Sequence, residues 1–379
     1  DKYTTRPYDI ILNQSSPIWW WQPPYPLSMT FHLTLAETIL FFIALAGSLY
    51  FAFQIAGRIY RILRRGQGEI DLGVARKRLF SSLAKTITLQ PTFRIRLVPS
   101  IFHALIAWAF IYYLLVNLAD ALEGVFAGFH LSALLGPFSG PFRLAADLLS
   151  VAALVGMAAL LIRRFLFKPG NLTARSEILL HPAARTGIRR DSAIVGGFII
   201  IHVGARFLGQ SFIIAGQGRD PWQPLASGVS ALWQNLSGSA LTIAFHISFW
   251  LAIGTILAFI PYFLYSKHIH LFFAPLNFLL KPERGSIGEL NALDFEDETI
   301  EEFGATRLED LGWEQLMDAY ACIMCYRCQQ VCPAYNTGKV LSPAALEINK
   351  RYFLNREGAA IAGGAPSSQT LLEFCLLYT

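Results

Sequence analysis

The sequence predicts an all-α membrane protein: a five-helix transmembrane bundle followed by a small soluble segment that carries cysteines. Three observations predict it. The chain is 54% hydrophobic but only 15% charged, with a mean hydropathy of +0.43, whereas soluble domains carry about a quarter charged residues. Its apolar residues gather into five runs, each matching the ~20 residues that cross a bilayer. Beyond the last run, four of the five cysteines fall between Cys322 and Cys332.

The five runs are roughly 31–57, 99–122, 143–166, 191–216 and 237–265. The stretch after the first carries Arg58, Arg61, Arg64, Arg65, Arg76, Lys77, Arg78, Lys85, Arg94 and Arg96, and the stretch after the third is also basic, from Arg163 to Arg190. The opposite connections, 123–142 and 217–236, carry only Arg219. Positive charge marks the cytoplasmic side. The reading is therefore a multi-pass protein of the cell (inner) membrane, N-terminus outside and C-terminus inside. Trp19, Trp20, Trp21 and Trp222 then fall on the outer face, where indole rings favour the interface. A buried all-helical soluble core does not account for this charge asymmetry. The net charge of +5 lies between apolar runs, so it speaks for topology and not for nucleic acid. No internal repeat suggests a transporter built from duplicated halves. The N-terminus opens polar and lacks a basic n-region, so no cleavable signal peptide is expected.

After Pro282 the composition turns acidic, from Glu283 to Asp310, as in a solvated connecting stretch. A short helix around Trp313–Tyr320 is expected to deliver the chain to the cysteines. The domains read as an outer-face segment at 1–30, a membrane domain at 31–270, an acidic cytoplasmic linker at 271–312 and the cysteine segment at 313–379.

Cys322, Cys325, Cys328 and Cys332, followed by Pro333, form C-x2-C-x2-C-x3-C-P. Three thiolates at this spacing wrap one face of a cubane, and the fourth commonly serves a second cluster. Zinc sites use two separated C-x2-C pairs instead. The segment therefore reads as a ferredoxin-like iron–sulfur segment with one or two [4Fe-4S] clusters. A second cluster needs more cysteines, and only Cys375 remains. Either Cys375 opens a second motif that continues past Thr379 or in a partner, or it is an ordinary buried thiol.

Ionisable residues inside spans are functional candidates by default. His103 lies just inside the cytoplasmic end of the second run, and His268 and His270 lie at the cytoplasmic end of the fifth. Equal depth on two helices suits bis-imidazole ligation of a haem b, with His103 on one side and His268 or His270 on the other. Arg94, Arg96 and Lys267 are near enough in sequence to meet its propionates. His202 and His246 lie deeper, with Arg206 one turn beyond His202. These three read as a second haem site or as the lining of a quinone pocket. His32, His130 and His181 read as plain polar residues.

The stretch from Trp313 through Tyr320 and Cys322 to Cys332, Lys339 and Pro343 resembles membrane-bound iron–sulfur oxidoreductases related to heterodisulfide reductase, above all the electron-transfer-flavoprotein:menaquinone oxidoreductases. The membrane part, through His103-Ala-Leu-Ile-Ala-Trp108 and Tyr265 to Asn277, resembles the cytochrome b (gamma) subunit of respiratory nitrate reductase. The resemblance implies an inner haem on His103 and His270. It also implies an outer haem at positions occupied by Tyr113 and Ala252, neither an ordinary ligand there. That departure removes the outer haem or moves it to His202 and His246. The family continues into a second cysteine motif and cysteine-rich domains that these residues do not include. The implied function is electron transfer between a cytoplasmic redox protein, such as an electron-transfer flavoprotein, and menaquinone or another quinone in the lipid. The alternative is a relay or anchor subunit held among further subunits of a respiratory or photosynthetic complex.

Overall fold

A computed structural model describes residues 33–125, 131–283, 295–296 and 304–373. Trp19, Trp20, Trp21, His32, His130, Cys375 and much of the acidic stretch (Glu289, Asp294, Asp297, Glu298, Glu301, Glu302) lie outside them. Among the described residues there is no strand, only an isolated bridge between Gln67 and Gly312. The α-helices run in order α1 (Leu35–Leu63), α2 (Leu72–Thr88), α3 (Gln90–Phe93), α4 (Leu97–Val125), α5 (Leu131–Leu135), α6 (Ser139–Ile162), α7 (Pro182–Gln217), α8 (Pro224–Ser230), α9 (Gly238–Tyr265), α10 (His270–Leu280), α11 (Trp313–Ala321), α12 (Arg327–Val331), α13 (Pro333–Asn336) and α14 (Pro343–Ala362).

Among the described residues five helical stretches are long and apolar enough to cross a membrane: Leu35–Leu63, Leu97–Leu118, Ala133–Phe167, Pro182–Gln217 and Gly238–Tyr265. They are the five expected runs with their ends moved. α1 continues through Arg58 and Arg61, and α7 starts at Pro182 and takes in Arg185, Arg189 and Arg190. Arginine is a good helix former, so a helix can outlast its apolar stretch. The apolar part of α1 is only 6% buried within the protein and that of α7 is 61% buried. Side chains of the first are thus left for lipid, whereas the second packs against protein.

The helix starts follow local chemistry. Thr34 and Glu37 form a reciprocal capping box, with Thr34 N–H donating to Glu37 Oε2 at 2.8 Å and Glu37 N–H to Thr34 Oγ1 at 3.3 Å. Asp71 caps α2 by accepting from the Gly73 and Val74 amides. Ser342 caps α14 in the same way, with Pro343 in its first turn. The basic stretch after α1 folds as α2 and α3.

The chain divides into two compact units. One comprises Asp1–Thr38, Leu105–Leu154 and Val203–Ala252. Within it Asp147 accepts from the Leu225 and Ala226 amides at the start of α8, and Arg143 pairs with Asp220 at 2.7 Å. The other comprises Ile39–Ala104, Val155–His202 and Ile253–Thr379. Here Ser48 Oγ donates to the Leu257 carbonyl at 2.6 Å, and Phe198 stacks against Phe259 and Tyr262. α10 packs on both α2 and α11. Gly66 meets the backbone of Trp313 so closely that a Cβ there would lie 2.6 Å from its Cα. This contact seats α11, the helix that leads into the cysteines.

Candidate cofactor site

Cys322 ends α11, its amide donating to Asp318 O at 3.0 Å. Met324 and Tyr326 then adopt left-handed φ of +59° and +61°. Such angles are costly for side-chain-bearing residues and persist only where surroundings hold them. Both side chains are buried, in a small core with Ala184, Ile188, Ala344 and Ile348. The two left-handed residues lie between Cys322, Cys325 and Cys328, and successive amides in such turns form anion-binding concavities. The Met324 amide already points at Cys322 Sγ, at 3.4 Å. Cys328 rides on α12, and Cys332 sits between α12 and α13.

The loop is tied down mainly by side chains from far away in the sequence. Arg96, directly before α4, donates through Nη1 to Cys325 O (2.9 Å), through Nη2 to Asn171 O (2.8 Å) and Tyr326 O (3.4 Å), and through Nε to Gln330 Oε1 (2.7 Å). Arg327 reaches Ser100 Oγ at 3.0 Å, one turn before His103 on α4. Gln329 donates to Thr173 O (3.1 Å) and accepts from Ser342 Oγ (2.6 Å). Arg96 is therefore committed to the cysteine loop and is not free for a haem propionate, as its position in sequence suggested. Lys267 is likewise engaged by Ser192 and by Asp191. Its ammonium is pushed down to about 8 by burial and then by the charge of Arg164.

Among the described residues no three His, Cys, Asp or Glu side chains converge closely enough to hold a single metal ion. A cubane makes a different demand, because each thiolate binds its own iron at its own corner. The four cysteines, the left-handed turns and the amide aimed at Sγ fit that demand. Burial and then the charge of Glu347 hold the Cys322 thiol well above the usual thiol range, so cluster binding there must displace a proton.

His103, His268 and His270 come within mutual electrostatic reach. Burial and then His103 push His270 down to about 3, which keeps its ring neutral. His270 Nδ1 lies 3.0 Å from the Lys267 carbonyl. A carbonyl only accepts, so Nδ1 carries the hydrogen and Nε2 presents a lone pair, the tautomer that second-shell bonds impose on metal-binding histidines. His268 Nδ1 and His103 Nδ1 are buried without a hydrogen-bond partner. The rings of His268 and His270 lie 5.8 Å apart.

The remaining candidates are dispersed. His202 and His246 fall in different units, and Arg206 shares a unit with His246. Arg206 lies over the Tyr113 ring at 5.3 Å, and Tyr113 bonds Ser150 at 2.7 Å. His246 Nδ1 is 2.9 Å from Glu37 Oε1, which also accepts from Trp250 Nε1 at 3.0 Å. Sequence reasoning missed Glu37 and the anchoring roles of Arg96, Arg327, Gln329 and Gln330. Their partners lie up to 234 residues away, and no local pattern announces such contacts.

Comparison with known proteins agrees with the cysteine reading. The chain is 29% identical over 272 residues to the "probable iron-sulfur-binding oxidoreductase FadF" of Bacillus subtilis, covering 70% of this chain and 36% of that protein. It is 29% identical over 256 residues to the "EtfAB:quinone oxidoreductase" of Syntrophomonas wolfei, covering 64% of this chain and 33% of the relative. Over 81 residues it is 36% identical to a "probable membrane-anchored ferredoxin" of Chromohalobacter salexigens, covering 21% and 12%. The chain spans about a third of the length of the first two relatives. No protein-family model and no solved structure matches it.

Proposed function

We propose that this chain is the membrane-embedded electron-carrying part of an iron–sulfur oxidoreductase that exchanges electrons between a cytoplasmic redox protein and the quinone pool. The observation that carries the reading is the cysteine loop: two left-handed turns, four cysteines at cubane spacing, and arginine ties to the start of the helix that bears His103. In this reading Cys322, Cys325 and Cys328 hold a [4Fe-4S] cluster in a ferredoxin-type segment, and Cys332 either completes that cluster or ligates a second one. His103 and His270 hold a haem b, with His268 as the alternative to His270. The Lys267 carbonyl supports His270, because it fixes the ring with Nε2 open.

When bound, cluster and haem supply one-electron chemistry. The protein's part is to hold them, exclude water and fix their separation. Reduction of a quinone to its quinol takes two electrons, passed singly, and two protons. The name of the Syntrophomonas relative supports an electron-transfer flavoprotein as the cytoplasmic partner and a quinone, here menaquinone or another, as the membrane partner. The basic stretches around Arg58–Arg96 and Arg163–Arg190 support a cytoplasmic cysteine segment in the cell membrane. Arg206 and His246, which share a unit, serve a second haem or a quinone pocket, and the Glu37 carboxylate beside His246 suits the first of these. His202 belongs to the other unit and is not assigned to that site.

A second reading, a relay or anchor without its own quinone site, draws on the membrane-anchored ferredoxin relative. Stopped-flow mixing of purified, dithionite-reduced protein with a menaquinone analogue separates them. Reoxidation of haem and cluster on mixing is expected; absorbance unchanged by every quinone tried would sink the quinone link.

A further inference from the structure

Two buried guanidinium groups bracket the cysteine loop. Arg96 is 8% exposed and holds the Cys325 and Tyr326 carbonyls. Arg351, on α14, is 2% exposed. Its Nη2 donates to the Tyr265 and Ser266 carbonyls at 3.0 and 3.2 Å, at the end of α9. Its guanidinium lies 4.4 Å from the Tyr320 ring centre, two residues before Cys322. Its Nε and Nη1 are buried without a hydrogen-bond partner.

Arginine stays charged even when buried, and a buried charge is expensive unless a counter-charge meets it. Among the described residues neither arginine is ion-paired with a carboxylate. Lys267, the other buried cation nearby, has Asp191. Sulfur lies within electrostatic reach of both: Cys322, after Tyr320 and Asp191, acts on Arg351, and Cys325 and Cys328 act on Arg96. A thiolate-ligated cluster is anionic and becomes more so by one charge when it takes up an electron.

We propose that Arg96 and Arg351 set the reduction potential of the cluster, their fixed positive charges favouring the reduced state and so raising the potential. This rests on the reading that Cys322–Cys332 holds a cluster. Net charge and hydrogen bonds to the sulfurs are the ordinary means by which a protein moves such a potential. Arg351 supplies a buried charge within reach of Cys322, and Arg96 supplies charge together with loop geometry.

The test uses the full chain purified in detergent. Iron and acid-labile sulfide are measured first, and the cluster is then titrated with dithionite and followed by electron paramagnetic resonance. Arg351→Gln and Arg96→Gln are each expected to retain iron and to shift the midpoint to more negative potential, with Arg351→Lys falling between its glutamine counterpart and wild type. If Arg351→Gln loses the cluster through misfolding, Arg351→Lys and Arg96→Gln still carry the comparison. Unchanged midpoints, or positive shifts, in variants that keep wild-type iron and sulfide would overturn the proposal. Wild-type protein without iron and sulfide would instead overturn the parent reading of the cysteines.

Discussion

In the five apolar helices the backbone hydrogen-bonds to itself, as a bilayer requires, and polar contacts such as Ser48 to Leu257, Tyr113 to Ser150 and Glu37 to His246 join one helix to another. In the cysteine segment the elements are too short for that. α12 has five residues and α13 four, and carbonyls at Cys325 and Tyr326 are met by Arg96, more than 200 residues earlier. The first region tolerates change because apolar packing is spread over many residues. The second concentrates its stability in a few side-chain-to-backbone bonds. Damage to the cysteine segment should therefore be local and severe, and damage to the helices diffuse and mild.

The largest expected effect is on the cysteines. Cys325→Ser should strip most of the iron and sulfide while leaving haem content near wild type, read by parallel iron, sulfide and pyridine haemochrome assays. Joint loss of haem would mean that the two centres do not fold separately. Next come the histidines. His103→Ala and His270→Ala should each abolish the low-spin haem spectrum with iron retained, whereas His268→Ala should keep it. The reverse result for His268 and His270 would move the ligand by two residues. Gly66→Ala should then cost about 1–3 kcal/mol, because a Cβ there overlaps the Trp313 backbone and overpacking has that price. Its signature would be earlier loss of iron on heating, with the membrane helices unaffected. The smallest effect is Ser48→Ala, about 0.5–1 kcal/mol for one interhelical hydrogen bond, seen as a slight drop in the thermal midpoint in detergent.

Much of this difference was legible in sequence on one side only. Five apolar runs at bilayer length identify five helices directly, because length and hydropathy are local properties. The cysteine spacing and the helix at Trp313–Ala321 are local too. α2 escaped notice, since basic and polar residues interrupt its apolar ones, and α14 did because its apolar positions follow no clear face. The roles of Arg96, Arg351 and Glu37 depend on partners distant in sequence. Arg96 in particular reads naturally as a membrane-border cation, and only the fold shows that it grips the Cys325 carbonyl. Spacing alone did not choose between His268 and His270; the resemblance implied His270, and the Lys267 carbonyl beside its Nδ1 supports that proposal.

The central claim is that one chain carries both an iron–sulfur cluster at Cys322–Cys332 and a haem b at His103 and His270. A pyridine haemochrome assay with iron and labile-sulfide quantitation on the purified protein tests it most directly. The account predicts haem b together with acid-labile sulfide and non-haem iron in the same preparation. Sulfide and non-haem iron without haem would contradict the histidine half of the claim, and haem without sulfide would contradict the cysteine half.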